Sequence, residues 1–333
     1  MAVTLREVAL RAGVSRSAVS RAFTPGASVS AKTHAAIAKA ASDLGYSPSA
    51  LASGLSTGRT KLIGLVSNNF RNPVFLEVFD QFTRGLQERG LRPLLVNLSG
   101  GMDQHAALQM LRRYSVDGVI LASSTLSPEF AESFRAAGLP VVHSFGRWSA
   151  QPAVHLVGVD NRACGFLAAQ TLVARGYRQI AFMGGPEAAT STQDRLAGFV
   201  AGAQQQAGVR FTTSFASDYA FEAGRAEMKR LLALGPPAEA YFCGDDVLSI
   251  GALSALDEAG LRVPQDVGVL GLNDMEMAGW ANINLTTIRQ PIAEIITASI
   301  ALVIEGMADK DAAPQARLFD CSVVERGTLR PRA

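Results

Sequence analysis

Two textures of apolar and polar spacing divide the chain: helical before residue 46, and alternating strand and helix after residue 61. Thr4 to Phe23 (TLREVALRAGVSRSAVSRAF) predicts two short helices joined by a tight turn. Thr4 and Glu7 form a T-x-x-E capping box, which satisfies the first free backbone N–H groups. Leu5, Val8 and Ala9 then share one apolar face. Gly13 ends the first helix because it accepts a positive φ without strain. Ser15 caps a second helix whose Val19, Ala22 and Phe23 are expected to point inward. Its outer face carries Arg16, Ser17, Ser20 and Arg21. After the TPGASVS loop, Ser30 caps a third helix, with Ile37, Ala40, Ala41 and Leu44 on one face and Gly45 at its end. A core this small is marginally stable alone.

Residues 47–60 are Ser/Gly-rich, with too few apolar positions for a core helix. Two readings stay open: a flexible linker, or a short helix that folds on DNA and offers Leu55 to a base step from the minor groove. From Lys61 the short runs LIGLVSN, LLVNLS, VDGVILAS, LPVVHSF and HLVGVD are apolar throughout, with helical spacing between them. Phe75, Val78, Phe79, Phe82 and Leu86 show that spacing. A second set follows: QIAFMGG, FTTSFAS, EAYFCGD, VGVLGLND and LTTIRQP. Strands apolar on both faces are buried parallel strands with crossover helices. Two sets of about five strands predict an α/β body of two doubly wound lobes, with ligands bound at the C-terminal strand ends.

At 333 residues, with 48% hydrophobic and 18% charged positions, the chain is expected to be globular and to hold several domains. Its net charge of +2 conceals an asymmetry. Residues 1–60 hold seven basic and two acidic side chains, or +5, which leaves −3 for the rest. A basic head on a slightly acidic body predicts a polyanionic partner for the head. No apolar run approaches the ~20 residues of a membrane span, and no secretory signal is seen. The three cysteines (Cys164, Cys243 and Cys321) are far apart in sequence and read as small buried residues in a reducing compartment. The four histidines lack ligand spacing, so no metal and no cofactor is expected, and the cytoplasm is the expected location.

G-x-S-x-G, a P-loop lysine, H-E-x-x-H and a strand-to-helix G-x-G-x-x-G are all missing, and with them the signatures of an enzyme. Polar and aromatic groups collect instead after the strands: Asn72, Val74 and Phe75, Ser123 and Ser124, Phe145, Ser191, Arg195, Tyr219, Asp245 and Asp246, and Asn273 and Asp274. Aromatic walls with a few directional polar groups suit a small polar ligand. Plainer roles exist for each kind: Asp246 and Asp274 as helix caps, Arg195 as a surface ion-pair partner, Phe75 as core.

The motifs TLREVALRAGVSRSAVSRAF, VSAKTHAAIAKAASDLGYSPSALA, TKLIGLV, VDGVILAS, DRLAGF, GLRVPQDVGVLGLND and LTTIRQP together resemble the LacI/GalR family of bacterial transcription regulators, over essentially the entire chain. That resemblance implies a helix-turn-helix DNA-binding head (1–46), a hinge (47–60) and a periplasmic-binding-protein-like body. The body's lobes would span 61–160 with 291–317, and 161–290 with 318–333. It also implies a homodimer on a palindromic operator in double-stranded DNA, with the second helix in the major groove. The DNA-contacting positions would be Thr4, Ser15, Arg16, Ser17, Ser20, Arg21 and, in the minor groove, Leu55. Ser53-Gly54 departs from the family's usual pattern beside Leu55, and glycine costs a helix ~1 kcal/mol relative to alanine. By motif, Val74, Phe75, Ser191, Arg195, Tyr219 and Asn273 would bind an effector, with Ser123, Phe145, Asp246 and Asp274 added from strand-end position. A sugar or sugar derivative is the family's commonest effector. The helices 74–89 and 246–259 would contribute to the dimer face. A transport-type solute-binding protein and a cleft enzyme share such a body and are the rival readings; the basic head speaks against the first.

Overall fold

A computed structural model describes residues 3–24, 26–47, 58–99 and 103–332. Leu55 and Gly54 lie outside the described residues. The chain divides into two units, Met1–Lys61 and Leu62–Ala333.

The first unit holds α1 (Leu5–Ala12), α2 (Arg16–Ala22) and α3 (Ala31–Leu44). The Glu7 carboxylate accepts hydrogen bonds from the Thr4 N–H at 2.6 Å and the Thr4 hydroxyl at 2.8 Å, which holds its carboxyl below the ordinary range. Gly13 takes φ 67° at the end of α1. Ser15 and Ser30 each accept a backbone N–H at 3.2 Å as helix caps. Val8, Ala9, Val19, Ile37, Ala40 and Ala41 form the buried core. Phe23, expected in that core, lies at its exposed edge against Tyr46, ring centroids 5.9 Å apart. The core is already filled by small and branched side chains, so a ring this large is displaced to the rim.

The second unit contains two parallel sheets of equal design. The first takes β1 (Leu62–Ser67), β2 (Arg92–Asn97), β3 (Gly118–Ala122), β4 (Val141–Ser144), β5 (His155–Val159) and β11 (Ala316–Phe319), in the order β11-β5-β4-β3-β1-β2. The second takes β6 (Gln179–Gly184), β7 (Arg210–Phe215), β8 (Ala240–Cys243), β9 (Gly268–Asn273), β10 (Thr287–Arg289) and β12 (Ser322–Val324), in the order β12-β10-β9-β8-β6-β7. Only β12 runs antiparallel to its neighbour. Each sheet thus has the five expected strands and one more at its edge, supplied by the C-terminal segment. Helices α4 (Val74–Glu88), α5 (Gln104–Arg113), α6 (Pro128–Ala136) and α11 (Ile292–Ala308) accompany the first sheet. Helices α7 (Asn161–Val173), α8 (Thr190–Gln204), α9 (Phe221–Leu234) and α10 (Asp246–Glu258) accompany the second.

The chain crosses between lobes after β5 at Asp160, after β10 at Gln290, and between β11 and β12 at Asp320–Cys321. The third crossing corrects the expected boundary at 317/318. Leu318 and Phe319 pair with Gly158 and Val159, so they belong to the first sheet. Their run is short and half-exposed, which blurs a strand's end in sequence. Two glycines bring α7 and α8 together. A Cβ on Gly165 would lie 1.9 Å from the Arg195 carbonyl oxygen, and one on Gly198 1.9 Å from that of Arg162. This close backbone approach fixes Arg195 near the first crossing.

Candidate functional site

Between the two lobes, where the C-terminal strand ends of both sheets converge, lies a narrow cleft. Its apolar wall comes from the first lobe. Val74, Phe75 and Val78 project from α4, Phe145 and Val159 follow β4 and β5, and Ile292 begins α11. The Phe75 and Phe145 rings meet edge-on at 6.2 Å. Tyr219, after β7, adds an aromatic surface from the second lobe.

The polar wall is a connected array. Arg195, 4% exposed, donates from Nε to Asn161 Oδ1 at 2.8 Å and from Nη1 to the Gly244 carbonyl at 2.6 Å. Among the described residues its Nη2 has no protein acceptor. Asp245 caps α10 through the Val247 N–H at 2.9 Å, and its other oxygen accepts from Asn72 at 2.7 Å and Asn273 at 2.9 Å. Burial pushes the Asp245 carboxyl up, and the Arg195 charge opposes that shift. Gln290 completes the array by donating to Asn273 Oδ1 at 2.5 Å. Among the described residues three side-chain bonds span the lobes: Asn72 to Asp245, Arg147 to Asp194 at 2.7 Å, and Thr190 to the Ser124 carbonyl at 3.3 Å.

Phe145, Asn273 and Asp274 take φ values of 65°, 129° and 60° without being glycines. Such backbone costs about 1–3 kcal/mol per residue and concentrates at binding sites. Phe145 and Asn273 both line the cleft.

Six of the expected residues (Val74, Phe75, Phe145, Arg195, Tyr219 and Asn273) line the cleft. Four do not, and each has an identifiable reason. Ser123 is buried beneath it, donating to Asn68 Oδ1 at 2.7 Å and accepting the Thr125 and Leu126 N–H groups; its neighbour Ser124 lines the wall instead. Ser191 lies behind Tyr219, 3.4 Å from its hydroxyl, while Thr192 holds that hydroxyl at 2.6 Å. Asp274 is held by Arg289 and Arg326, both at 2.6 Å. Asp246 turns away from Asp245, accepting from the Thr287 hydroxyl at 2.5 Å and the Met275 N–H at 2.8 Å. It ties the ends of β9 and β10 together.

Beyond the expected effector set, the cleft takes Asn72, Ser124 and Asp245 from the strand-end groups, and also Asn69, Val78, Val159, Asn161, Gln290 and Ile292. The available signal for Asn161 and Gln290 was their place at the predicted lobe crossings. A crossing strand must run along the floor of the cleft it spans.

Two buried groups give the body opposing pH responses. Burial and the charges of Asp245 and Asp274 raise the Asp246 carboxyl to about 7, against an ordinary 3.8. The folded state therefore keeps a proton that the unfolded chain releases, and this contribution to stability is lost as pH rises from about 4 to about 7. His143 is buried, with Nε2 3.1 Å from the Ser123 carbonyl, and burial lowers it from 6.5 to about 4. Its contribution is gained as pH rises through about 4 to 6.5. Asp246→Asn is expected to remove the falling limb. Urea denaturation at pH 5 and 7 should show the variant gaining about 2 kcal/mol relative to the parent over that interval. Parallel profiles would show that Asp246 ionises alike in both states.

In the first unit, Thr4, Ser15, Arg16, Ser17, Ser20 and Arg21 are all exposed, and among the described residues Arg16 and Arg21 have no protein partner. A short capped helix with arginines and serines on its free face has the chemistry of a recognition helix.

The comparisons with known proteins bear on both units. Residues 4–49 match the family model described as bacterial regulatory proteins, lacI family, and residues 169–329 match that of the periplasmic binding protein-like domain. The HTH-type transcriptional repressor PurR of Escherichia coli is 31% identical, with 98% of this chain and 96% of that protein aligned. The HTH-type transcriptional repressor CytR of Escherichia coli is 29% identical, over 99% of this chain and 97% of that protein. Among solved structures, the Lac repressor dimer bound to operator and the anti-inducer ONPF has a TM-score of 0.88 at 25% identity, covering 98% of this chain and 99% of that one. The transcriptional regulator CelR–cellobiose complex has a TM-score of 0.73 at 29% identity, with the same coverage. With a helix-turn-helix head, a two-lobed body and end-to-end similarity to such repressors, the chain belongs to the LacI family of bacterial regulatory proteins and is a DNA-binding transcriptional regulator.

Proposed function

We propose that this regulator is a homodimeric repressor of a palindromic operator, controlled by a neutral, polyhydroxylated effector of the sugar class held between its lobes. The observation that carries the effector reading is the charge balance of the cleft. Among its described lining residues Arg195 is the one cation and Asp245 the one anion. Around them stand the amides of Asn72, Asn161, Asn273 and Gln290, each able to donate and accept. Hydroxyl groups use both capacities, whereas a phosphate or carboxylate would compete with Asp245 for the one cation. Phe75, Phe145 and Tyr219 supply surfaces for the C–H face of a ring.

The similar proteins are repressors, which supports binding over catalysis. We read Leu55 as the hinge residue and Arg16, Ser17 and Arg21 as the base-reading set, with Thr4, Ser15 and Ser20 at the phosphates. A DNA partner places the protein in the cytoplasm with the nucleoid; no described helix is long and apolar enough to cross a membrane. Control requires the effector to bind one arrangement of the lobes more tightly than the other. The bonds from Asn72 to Asp245 and from Arg147 to Asp194 are the contacts such a change would remake.

A thermal-shift screen of the full-length protein tests this, with neutral sugars and glycosides, polyols, sugar acids, phosphosugars and purines. A ligand at 100 times its Kd stabilises the native state by ~2.7 kcal/mol. The expected result is a clear shift with a neutral sugar or glycoside. Shifts confined to phosphosugars, sugar acids or purines would overturn the charge argument. Silence across all classes would leave the body a dimerisation module.

A further inference from the structure

Cys164 and Cys321, 157 residues apart in the chain, meet with their Sγ atoms 2.8 Å apart. Cys164 lies in the first turn of α7, its N–H bonded to the Asp160 carbonyl at the first crossing. Cys321 is itself a residue of the third crossing, between β11 and β12. Cys164 is buried, and Cys321 keeps partial contact with solvent. The remaining cysteine, Cys243, is sealed in β8, where burial pushes its thiol up to about 12. The three thiols are free, as expected, but Cys321 is only partly buried, and two cysteines far apart in sequence are neighbours in space. Sequence separation says nothing about which crossings share a hinge.

A disulfide bond length is ~2.05 Å, so the two sulfurs need close by only about 0.8 Å. We propose that Cys164 and Cys321 form a peroxide-responsive site that oxidises to an intramolecular disulfide. The Cys321 sulfur, the accessible one, attacks a peroxide oxygen. The O–O bond breaks, water leaves, and Cys321 becomes a sulfenic acid. The Cys164 sulfur then attacks the Cys321 sulfur, and its proton leaves with the sulfenic hydroxyl as a second water. Two thiols surrender two electrons and two protons to one hydrogen peroxide, giving one disulfide and two waters. Burial and the hydrogen bond between the pair keep the Cys321 thiol protonated. The site consequently responds to sustained exposure, because the thiolate is the nucleophile.

The bond would join the third crossing to the helix that starts at the first. Lobe movement is absorbed by φ and ψ changes at such crossings, so the disulfide restrains the hinge. Arg195 lies close enough for its charge to act on Cys321, so the pair sits near the cleft's polar array. The regulatory consequence rests on the effector reading: oxidation uncouples effector binding from operator release. The chemistry of the site does not depend on it.

The test treats the full-length native protein with hydrogen peroxide, then counts thiols, measures intact mass and maps non-reduced peptides. The thiol count is expected to fall from three to one. Mass should drop by about 2 Da with a Cys164–Cys321 cross-linked peptide, and dithiothreitol should restore both. Cys164→Ser and Cys321→Ser should each abolish the cross-link, and Cys243→Ser should leave it intact. Three surviving thiols, oxygen added to Cys321 without a cross-link, or a bond between chains would overturn the site. With the effector found by the screen, the oxidised protein should show at least a tenfold smaller change in operator affinity than the reduced one. A cross-linked protein with an unaltered response would overturn the regulatory consequence and leave the redox site standing.

Discussion

Arg195→Ala is expected to weaken effector binding by about 30- to 1000-fold, the equivalent of ~2–4 kcal/mol. The guanidinium is buried and spends Nε and Nη1 on Asn161 and the Gly244 carbonyl, so it is rigid before any ligand arrives. A preorganised, charge-assisted donor in a desolvated cleft loses little entropy on binding. Its removal also leaves Asn161 and Gly244 without their donor and deprives buried Asp245 of its compensating charge. Breaking a buried charge arrangement in this way costs about 3–5 kcal/mol of stability. Arg195→Lys separates the two effects. The ammonium retains the charge opposite Asp245, but it lacks the planar fork that serves Asn161, Gly244 and a ligand together. The lysine variant should melt near the parent and still bind at least tenfold more weakly, as read by calorimetric titration with the ligand from the screen. Parental affinity in the lysine variant would show that Arg195 supports the fold and touches no effector.

Arg21→Ala is the second large effect, and it falls on the other unit. Arg21 is exposed on the outer face of α2 and, among the described residues, without a protein partner, so its loss leaves the head's core untouched. A bidentate contact from arginine to guanine O6 and N7 is worth ~1–3 kcal/mol. A palindrome read by a dimer uses the contact twice, giving about 2–6 kcal/mol and a loss of roughly 30-fold to more than 10⁴-fold. Fluorescence anisotropy at fixed salt measures this, with an operator selected from random DNA. Loss of preference at one base position in each half-site, with effector binding preserved, is the expected signature. A uniform loss across sequences with a shallower salt dependence would reassign Arg21 to a phosphate. Parallel loss of DNA and effector binding would indicate misfolding.

What the sequence alone determined about this protein was whatever local chemistry decides. Thr4, Ser15 and Ser30 cap helices through bonds within three residues, and Gly13 and Gly45 end them with positive φ. Strands buried on both faces must be apolar throughout, which made most of the ten, their parallel sense and their grouping into two lobes legible; β2 and β7, largely exposed at the sheet edges, were legible by their place in the strand–helix alternation. So was the level of the cleft, because parallel strands present their C-terminal ends together. Only the tertiary structure decided the phase at those ends. At Ser123-Ser124, Asp245-Asp246 and Asn273-Asp274 adjacent residues point to opposite sides, and one member of each doublet lines the cleft while the other braces it. Left-handed turns at Phe145, Asn273 and Asp274 reset the alternation just where it matters. Asn161 and Gln290 were legible only by their place at the predicted crossings, and the Cys164–Cys321 pairing not at all, because these roles arise where the chain crosses between lobes. Crossings are short and lack periodicity, and what they meet there is set by two sheets packing together rather than by any neighbour in sequence.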